Sequence, residues 1–553
     1  MSINKTFQSV TIYILSILAS CNIVVAQVNL NAMGLGELHG NFQANAQYYI
    51  PDSTIGAANV PERMLFNGFA NILYTKGKFT AGLRYESYLN ALQGYPTGYK
   101  GTGIPYRFIT YRADFLEITA GSFYEQFGNG LVLRTYEERN LGLDNALDGV
   151  RIKAEPVKGI YLKGLIGKQR SFFSQGPGIV RGIDGEIQFN ELFAKLADKK
   201  LIFGMGGSFV SKFQEDQDPT LVLPQNVGNT AIRFNLSRNN FSLNGEYAYK
   251  INDPSLDNSF IYKPGEAILI QALYATKGFA FLLSGSRMEN MSFRSDRNAQ
   301  LTNLLINYIP ALNKQHTYSL LTFYPYASQA KGEMEFSSEV KYKFPKGSKL
   351  GGQYGTEILL NYSGSNGLDT TNLNPAEDNK KMGYTSKFIS LNGKVYFRDL
   401  YVEINKKFNK QWKGTVAYTY QVYNKDVIQK PGTGTIYANI AVMDLTYKMN
   451  KGALRMEAQH MATKQDQQNW AYLLLEYTIN TNWYVAAGDL YNYGNDHVNE
   501  RYHYYNVSAG FIKDANRIEL TYGKQRAGVF CVGGVCRNVP ASNGVTLTIT
   551  SSF

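Results

Sequence analysis

The sequence is poor in cysteine, histidine and tryptophan, and it lacks long apolar runs beyond its N-terminal segment. It contains 3 Cys, 5 His and 3 Trp among 553 residues. After the first residues, no apolar stretch approaches the roughly 20 residues that a membrane-crossing helix needs, and the mean hydropathy is −0.28. The lack of long apolar runs excludes a helical membrane protein. There is also no nucleophile elbow and no Ser paired with a nearby His, so we expect no enzymatic activity. We also expect no metal and no cofactor.

The N-terminal segment is typical of a secretory signal peptide over residues 1–26. Lys5 supplies a positive charge, and residues 10–19 form an apolar stretch that is too short to span a bilayer comfortably. Small residues stand at the −3 and −1 positions of a cut after Ala26.

A second cleavage pattern overlaps the first. Leu18 to Cys21 resembles a lipobox, in which Cys21 would become a lipidated N-terminus. Either cut sends the protein across the inner membrane, and the first leaves residues 27–553 as the mature chain.

The last ten residues, GVTLTITSSF, predict a β-strand with one apolar and one polar face. The apolar face carries Val545, Leu547, Ile549 and Phe553. A terminal aromatic residue in phase with such a row resembles the end strand of bacterial outer-membrane barrels, which their assembly machinery recognises. Ser551 departs from that pattern, and an edge strand of a soluble sandwich is the alternative.

The same alternation recurs along most of the chain in consecutive hairpins. One example is Ile232, Phe234 and Leu236, which alternate with polar residues before a turn at Asn239 and Asn240. Counting such segments gives roughly 22 to 26 strands, within the range of single-chain bacterial barrels. We therefore predict an all-β fold, a large antiparallel transmembrane β-barrel in the bacterial outer membrane. The alternation begins soon after the signal peptide, which argues against a separate plug domain.

Link lengths predict how the barrel is oriented. With the C-terminus in the periplasm, the short link 513–516 is periplasmic and the long link 525–543 is extracellular, the asymmetry that such barrels show. Further long extracellular links are predicted at 91–105, 213–229, 251–265, 365–384, 424–433 and 491–503.

Cys531 and Cys536 bracket Val-Gly-Gly-Val in the predicted link before the last strand. In an exported protein this spacing favours a disulfide, since the compartment is oxidising and the glycines let the chain double back. A metal site would need two further ligands nearby. A ring this small should contribute little to global stability.

The least strand-like stretch is 121–151, which concentrates charged residues among glycines. Porins use opposed acidic and basic groups to build a constriction. One hypothesis is that part of this segment folds into the lumen and gates or selects; the other is a hairpin whose lumen-facing charges simply pair. The candidate constriction residues are Arg134, Glu137, Glu138, Arg139, Asp144, Asp148 and Arg151.

The chain is basic, with 56 Lys and Arg against 44 Asp and Glu, a net charge of +12 that falls to +11 without Lys5. This excess would favour anionic solutes in a lumen or would reflect rim charges that face phosphate-rich lipid. No motif supports nucleic-acid binding.

Three stretches together resemble an uncharacterised family of outer-membrane barrel proteins of the Bacteroidota: the 121–151 segment, CVGGVCRNVP and the terminal GVTLTITSSF. The resemblance implies the location and the fold, but it implies no activity for particular residues.

The sequence favours a passive channel or transporter for polar solutes. The alternative is an occluded structural or interaction barrel that partners another envelope complex, or a surface receptor or adhesin that acts through its long links. An occluded barrel predicts that the 121–151 segment or N-terminal residues fill the lumen.

Overall fold

The computed structural model describes residues 34–216, 218–390 and 393–553. The predicted signal peptide and the alternative lipidation site at Cys21 lie outside these residues and stay predictions. In the described ranges, no helix is long and apolar enough to cross a membrane.

A single antiparallel sheet of 24 long strands accounts for most of the described chain. Each strand pairs with the strands before and after it in sequence, as expected for consecutive hairpins, and the count falls within the predicted range. The strands are β1 (Glu37–Tyr49), β2 (Met64–Lys76), β3 (Phe79–Leu89), β4 (Gly101–Arg112), β5 (Leu116–Phe123), β6 (Leu147–Val157), β7 (Ile160–Ser171), β8 (Ser174–Gln188), β9 (Leu201–Phe213), β10 (Asn226–Arg238), β11 (Phe241–Lys250), β12 (Gly265–Thr276), β13 (Phe279–Glu289), β14 (Gly332–Phe344), β15 (Thr356–Asn366), β16 (Val395–Lys407), β17 (Trp412–Asn424), β18 (Thr435–Lys448), β19 (Ala453–Ala462), β20 (Trp470–Thr478), β21 (Trp483–Tyr491), β22 (His503–Lys513), β23 (Asn516–Gln525) and β24 (Ser542–Ser552).

The sheet closes into a barrel because β24 pairs with β1 as well as with β23. At the seam, the backbone N–H of Phe553 donates to the carbonyl of Gly40 at 2.9 Å, and the N–H of Gly40 donates back at 3.0 Å. Thr546 of β24 lines a cavity in the lumen, so Val545 and Leu547 lie on the outer face, as the alternation predicted.

The links between strands differ in length at the two ends of the barrel. At one end, called the short-link end, most links have two to four residues; 189–200 and 345–355 are the longer ones. At the other, called the long-link end, lie all six predicted long links and the link 526–541 that contains Cys531 and Cys536. The predicted asymmetry is therefore present. The longest links of this end are 124–146, 290–331 and 367–394.

Shorter elements lie within the links. Helical turns occur at Ser53–Ile55, Thr97–Tyr99, Arg139–Leu141, Phe189–Leu192, Ala194–Ala197, Leu256–Asn258, Leu320–Thr322, Lys425–Ile428 and Val498–Glu500. In the part of the chain that the structure describes, four small antiparallel ladders pair Gln126–Phe127 with Leu133–Arg134, Glu137–Glu138 with Leu143–Asp144, Thr370–Asn372 with Tyr384–Ser386, and Gly528–Val532 with Val535–Val539.

The apolar residues of the strands fall into two sets. Outward residues such as Ile183 and Ile232 are exposed, at 64% and 63% of their surface. Many inward residues near the long-link end are instead fully buried, among them Val180, Val210 and Tyr423. Something other than water therefore covers the inner wall in this half of the barrel.

Candidate functional site in the barrel lumen

The first segment that fills the lumen is the link 124–146, called the first inward link. Its apolar run, Leu131 to Leu133, is fully buried with Phe127 against inward residues of the wall. Gly130 makes the turn between the two halves of the first small ladder, with φ at +95°, a conformation that side-chain-bearing residues rarely adopt. The segment folds inward because it carries an apolar core of its own that would otherwise face water.

A buried charge network fastens this link to the wall. Asp144 of the link accepts hydrogen bonds from Arg170 of β7 at 2.5 Å and from Arg84 of β3 at 3.1 Å. Glu86 of β3 completes the network through two bonds from Arg170, at 2.9 and 2.5 Å, and Glu137 of the link accepts from Arg84 at 2.7 Å. Buried charges are stable only when they are paired in this way, and removal of one partner leaves the remaining charges buried and unpaired.

A second group of charges lies around Glu125, at the start of the same link. Its carboxylate lies 2.9 Å from Lys153 of β6, 2.9 Å from Lys163 of β7 and 3.5 Å from Arg151 of β6. Burial raises the pKa of the Glu125 carboxyl, but Lys163 and Lys153 together outweigh burial and hold this pKa below its usual value. Glu125 was not among the residues singled out from the sequence.

The predicted constriction residues in this link take several roles. Arg134 stacks between the rings of Tyr136 and Tyr308, 4.6 and 4.0 Å from their centroids. Arg139 pairs with Glu137 at 2.6 Å, whereas Glu138 accepts from the backbone N–H of Asn140 in a local turn. Of these residues, Arg139 and Glu137 form an ion pair inside a segment that lies in the lumen. That the segment gates or selects stays a prediction.

Two of the predicted residues belong to strand β6 rather than to the link. Arg151 faces inward and contacts Glu117 at 2.8 Å. Asp148 follows Leu147, which is buried in the lumen, so the period-two alternation turns Asp148 to the outer face. There it pairs with Arg107 at 3.2 Å. The structure thus places Asp148 outside the group that lines the lumen.

A second segment, the link 290–331, crosses the lumen beside the first and is called the second inward link. The sequence interpretation missed it. The available signals were the loss of alternation between β13 and β14, the clustered apolar residues at 304–306, and Pro310 and Pro325. Its buried apolar residues fall into both core clusters of the barrel, with Phe293 and Ile306 in one and Leu320 and Leu321 in the other.

The two inward links are joined by backbone hydrogen bonds. The N–H of Arg134 donates to the carbonyl of Ile306 at 2.8 Å, and the N–H of Tyr308 donates to the carbonyl of Gly130 at 2.9 Å. The side chain of Asn307 donates to the carbonyl of Leu131 at 3.2 Å. Because each link satisfies polar backbone groups of the other, the pair forms one packed unit.

The second inward link reaches the wall on widely separated strands. Near its start, its Ser292 carbonyl accepts from Lys250 of β11 at 2.5 Å.

Further along, it contacts strands on the far side of the lumen. The imidazole of His316 lies 2.5 Å from Asp399 of β16, and the N–H of Leu320 donates to Gln459 of β19 at 2.8 Å. Together the two inward links contact the wall from β3 to β19.

The disulfide hairpin, Gly528–Val532 and Val535–Val539, covers this packed unit at the long-link end. Cys531 and Cys536 form the predicted disulfide. The Tyr308 hydroxyl donates to the carbonyl of Gly533 at 2.7 Å, and the N–H of Ser328 donates to the carbonyl of Gly534 at 3.1 Å. The tip of the hairpin therefore rests on the second inward link.

A cavity of about 430 Å³ remains at the long-link end, between the second inward link, the disulfide hairpin and the wall from β20 through β24 to β1. Its walls include Tyr472, Tyr504 and Gln47. The guanidinium of Arg526 lies 3.5 Å from the ring centroid of Phe323, and burial lowers the pKa of this group. A cavity of this size with aromatic walls and a few polar groups is typical of small-molecule sites.

A second cavity, of about 380 Å³, lies inside the wall near the short-link end, between β14 and β19. Its lining includes Lys343, Lys407 and Lys413.

As for metals, the described residues contain no group of three or more His, Cys, Asp or Glu side chains arranged to hold an ion.

These features define a class: a closed 24-stranded β-barrel whose lumen is blocked by two of its own links. The chain belongs to the family of unknown function DUF6029, whose model matches residues 7–553. Its predicted membership of a family without assigned activity is confirmed, and the bacterial phylum stays a prediction. No curated protein matches this chain.

Solved structures with a similar fold include a ferric enterobactin receptor and an outer-membrane protein. A mutant form of the ferric enterobactin receptor PfeA of Pseudomonas aeruginosa is 11% identical with a TM-score of 0.43, covering 94% of this chain and 81% of its own. OccAB4 of Acinetobacter baumannii is 10% identical with a TM-score of 0.36, covering 94% and 100%. The outer membrane protein opdK of Pseudomonas aeruginosa is 7% identical with a TM-score of 0.35, covering 94% and 98%. These values are too low to carry an argument about ligand or activity.

Proposed function

We propose that the chain is an outer-membrane β-barrel whose lumen is closed at rest, and that it acts as a structural or interaction barrel for another envelope complex rather than as an open channel. One observation carries the proposal. The inward links 124–146 and 290–331 bond to each other inside the lumen and contact the wall from β3 to β19.

The outer surface supports the location in a membrane. Apolar side chains cover the outward face of the strands, and aromatic residues form a band near the short-link end. Such a girdle is typical of barrels at the membrane–water interface. The band includes Phe79 and Tyr111 with centroids 5.0 Å apart, Trp412 and Tyr447 at 4.8 Å, and Trp483 and Phe511 at 4.8 Å.

The passive channel favoured by the sequence would require at least the first inward link to leave the lumen. Breaking one buried ion pair by removing a partner costs about 3–5 kcal/mol in typical cases, and each 1.4 kcal/mol changes a population about tenfold. Several such contacts, including those of Asp144 and Glu125, would have to open together. We therefore infer that the closed state dominates.

A solute receptor is the second candidate, and the cavity of about 430 Å³ favours it. The cavity lies at the predicted extracellular end and offers Arg526 beside aromatic rings. In this interpretation a polar solute binds under the disulfide hairpin.

Single-channel conductance in planar bilayers tests the closed state. The variant to compare with the intact protein replaces residues 126–143 by a short Gly-Ser linker, which leaves strands β5 and β6 intact. A matched control removes residues 374–380 from the exposed part of the link 367–394. We expect steady conductance only from the 126–143 replacement. Steady conductance from the intact protein would support the passive channel instead, and heat-modifiable gel mobility verifies folding in each case.

A further inference from the structure

Residues directly opposite each other on neighbouring strands destabilise the sheet when they carry like charges. Among the described pairings between the 24 strands of the barrel, four opposed pairs of this kind occur. They are Lys153 with Lys163, Glu266 with Glu289, Asp444 with Glu457, and Lys407 with Lys413.

Three of these pairs are neutralised by a bridging side chain of opposite charge. In the first pair, Lys153 and Lys163 each lie 2.9 Å from the carboxylate of Glu125. The two acidic pairs are each bridged by an arginine: Glu266 and Glu289 by Arg287 at 3.7 and 2.6 Å, and Asp444 and Glu457 by Arg455, which lies 2.9 Å from Asp444 and closer still to Glu457.

The fourth pair, Lys407 and Lys413, has no such bridge. It is the last pair of strands β16 and β17 before the link 408–411, and both residues line the cavity of about 380 Å³ near the short-link end. Within the described part of the chain, no carboxylate lies within 4.0 Å of either ammonium group. Lys407 instead lies over the ring of Tyr354, 5.1 Å from its centroid.

The carboxylates that line the same cavity are already engaged. Glu357 lies 2.9 Å from Lys341, and Asp444 is held by Arg455. Lys343 and Lys406 also line the cavity, and neither forms an ion pair with a described residue. The cavity therefore has a local excess of positive charge that the described chain does not compensate.

We propose that this cavity binds an oxyanion, a phosphate or carboxylate group, which bridges Lys407 and Lys413 as Glu125 bridges Lys153 and Lys163. A lysine ammonium is a compact cation with three donors that suits such a group. The inference rests on the strand pairing and the cavity, so it is independent of whether the barrel is a scaffold, a receptor or a channel.

The oxyanion has two possible sources with the same chemistry, a free anion that enters from the aqueous lumen and the phosphate of a lipid headgroup. The alternation places Lys413 on the inner face next to Trp412 on the outer face, at the level of the aromatic band. A headgroup would have to reach around the rim of the barrel, whereas a free anion enters directly.

Calorimetric titration with inorganic pyrophosphate at low ionic strength tests the site on the full chain in a zwitterionic detergent. The test variant is Lys407→Gln with Lys413→Gln. The matched control, Lys346→Gln with Lys349→Gln, removes the same charge from exposed lysines of the link 345–355 at the same end. We expect at least tenfold weaker binding in the test variant and unchanged binding in the control.

Lys407→Glu provides an independent readout that does not depend on lost binding alone. It converts the opposed pair into a complementary one, so we expect a higher unfolding temperature without anion and no further rise when pyrophosphate is added. Wild-type protein should show that rise. The proposal is overturned if wild type does not bind pyrophosphate, if the double glutamine variant binds as wild type does, or if the control loses as much affinity as the test variant.

Repeating the titration in nanodiscs separates the two sources. Discs of phosphatidylcholine alone are compared with discs that also contain phosphatidylglycerol. If the anionic lipid displaces pyrophosphate from wild type, the headgroup is the natural occupant; if it does not, the occupant is a free anion.

Discussion

Arg170 of β7 and Asp144 of the first inward link approach to 2.5 Å between Nη1 and Oδ2, and each side chain is only 4% exposed. The same carboxylate oxygen lies 3.1 Å from Arg84 of β3. One carboxylate therefore attaches the inward link to two strands that are not neighbours in the barrel. Because the partners are buried, we expect loss of this attachment to weaken the closed lumen more than loss of an exposed ion pair would.

Asp144→Asn should loosen the first inward link without preventing the barrel from forming. The substitution leaves two buried arginines with one fewer negative partner, and the expected cost is about 3–5 kcal/mol. We expect transient channel openings in planar bilayers and faster proteolysis within residues 124–146.

Asp148→Asn is the matched control, because Asp148 pairs with an Arg107 side chain that is 57% exposed. Exposed pairs contribute about 0–1 kcal/mol. If both variants behave alike, the buried network does not hold the link.

Loss of the disulfide should free the hairpin but leave the barrel stable. For a ring of about six residues, the chain-entropy model gives about 2 kcal/mol, and only the hairpin would lose it. Cys531→Ser with Cys536→Ser should therefore expose residues 526–541 to proteolysis and leave the barrel's heat-modifiable gel transition unchanged. Treatment of wild type with a reductant should likewise expose residues 526–541 to proteolysis. A large shift in the heat-modifiable gel transition would contradict the prediction that the disulfide stabilises only the hairpin.

The barrel could be predicted from sequence because its strands carry local signals. The alternation in segments such as 232–236 depends only on which residues face lipid and which face the lumen, and a short spacing between Cys531 and Cys536 suffices for a disulfide. These features need no knowledge of distant contacts.

The contents of the lumen could not be predicted because they depend on distant contacts. Arg84 and Arg170 stand 60 and 26 residues from Asp144 in sequence, so nothing local identifies them as its partners. The link 290–331 has an apolar composition without a period, which a buried segment and an irregular loop share. The segment 121–151 was chosen correctly as irregular, but its ends belong to strands β5 and β6.

The attachment of the first inward link should weaken in acid. Lysines hold the pKa of Glu125 below its usual 4.5, although burial opposes them. Because the pKa of Glu125 is lower in the folded state, its ion pairs stabilise the fold fully above about pH 4.5. This stabilisation is lost as the pH falls through the lower pKa of the folded state.

We therefore expect more frequent channel openings and faster proteolysis of 124–146 as the pH drops below about 4.5. Glu125→Gln should show more frequent channel openings and faster proteolysis of 124–146 already at neutral pH. Both quantities should change less with pH than they do in wild type. An identical pH profile in this variant would assign the effect to other groups.

Gly178→Ala should push the second inward link away from the wall. A Cβ atom at Gly178 of β8 would lie 2.0 Å from the backbone carbonyl oxygen of Ser295, which a side-chain rotation cannot relieve. Overpacking of this kind typically costs about 1–3 kcal/mol.

The control is Gly185→Ala on the same strand, where the added Cβ would meet Leu162 at an ordinary 3.5 Å. In urea titrations of the detergent-solubilised protein, Gly178→Ala should unfold at lower urea while Gly185→Ala should match wild type. If the two variants unfold at the same urea concentration, the second inward link does not pack against β8 as described. This contact then does not help to close the lumen.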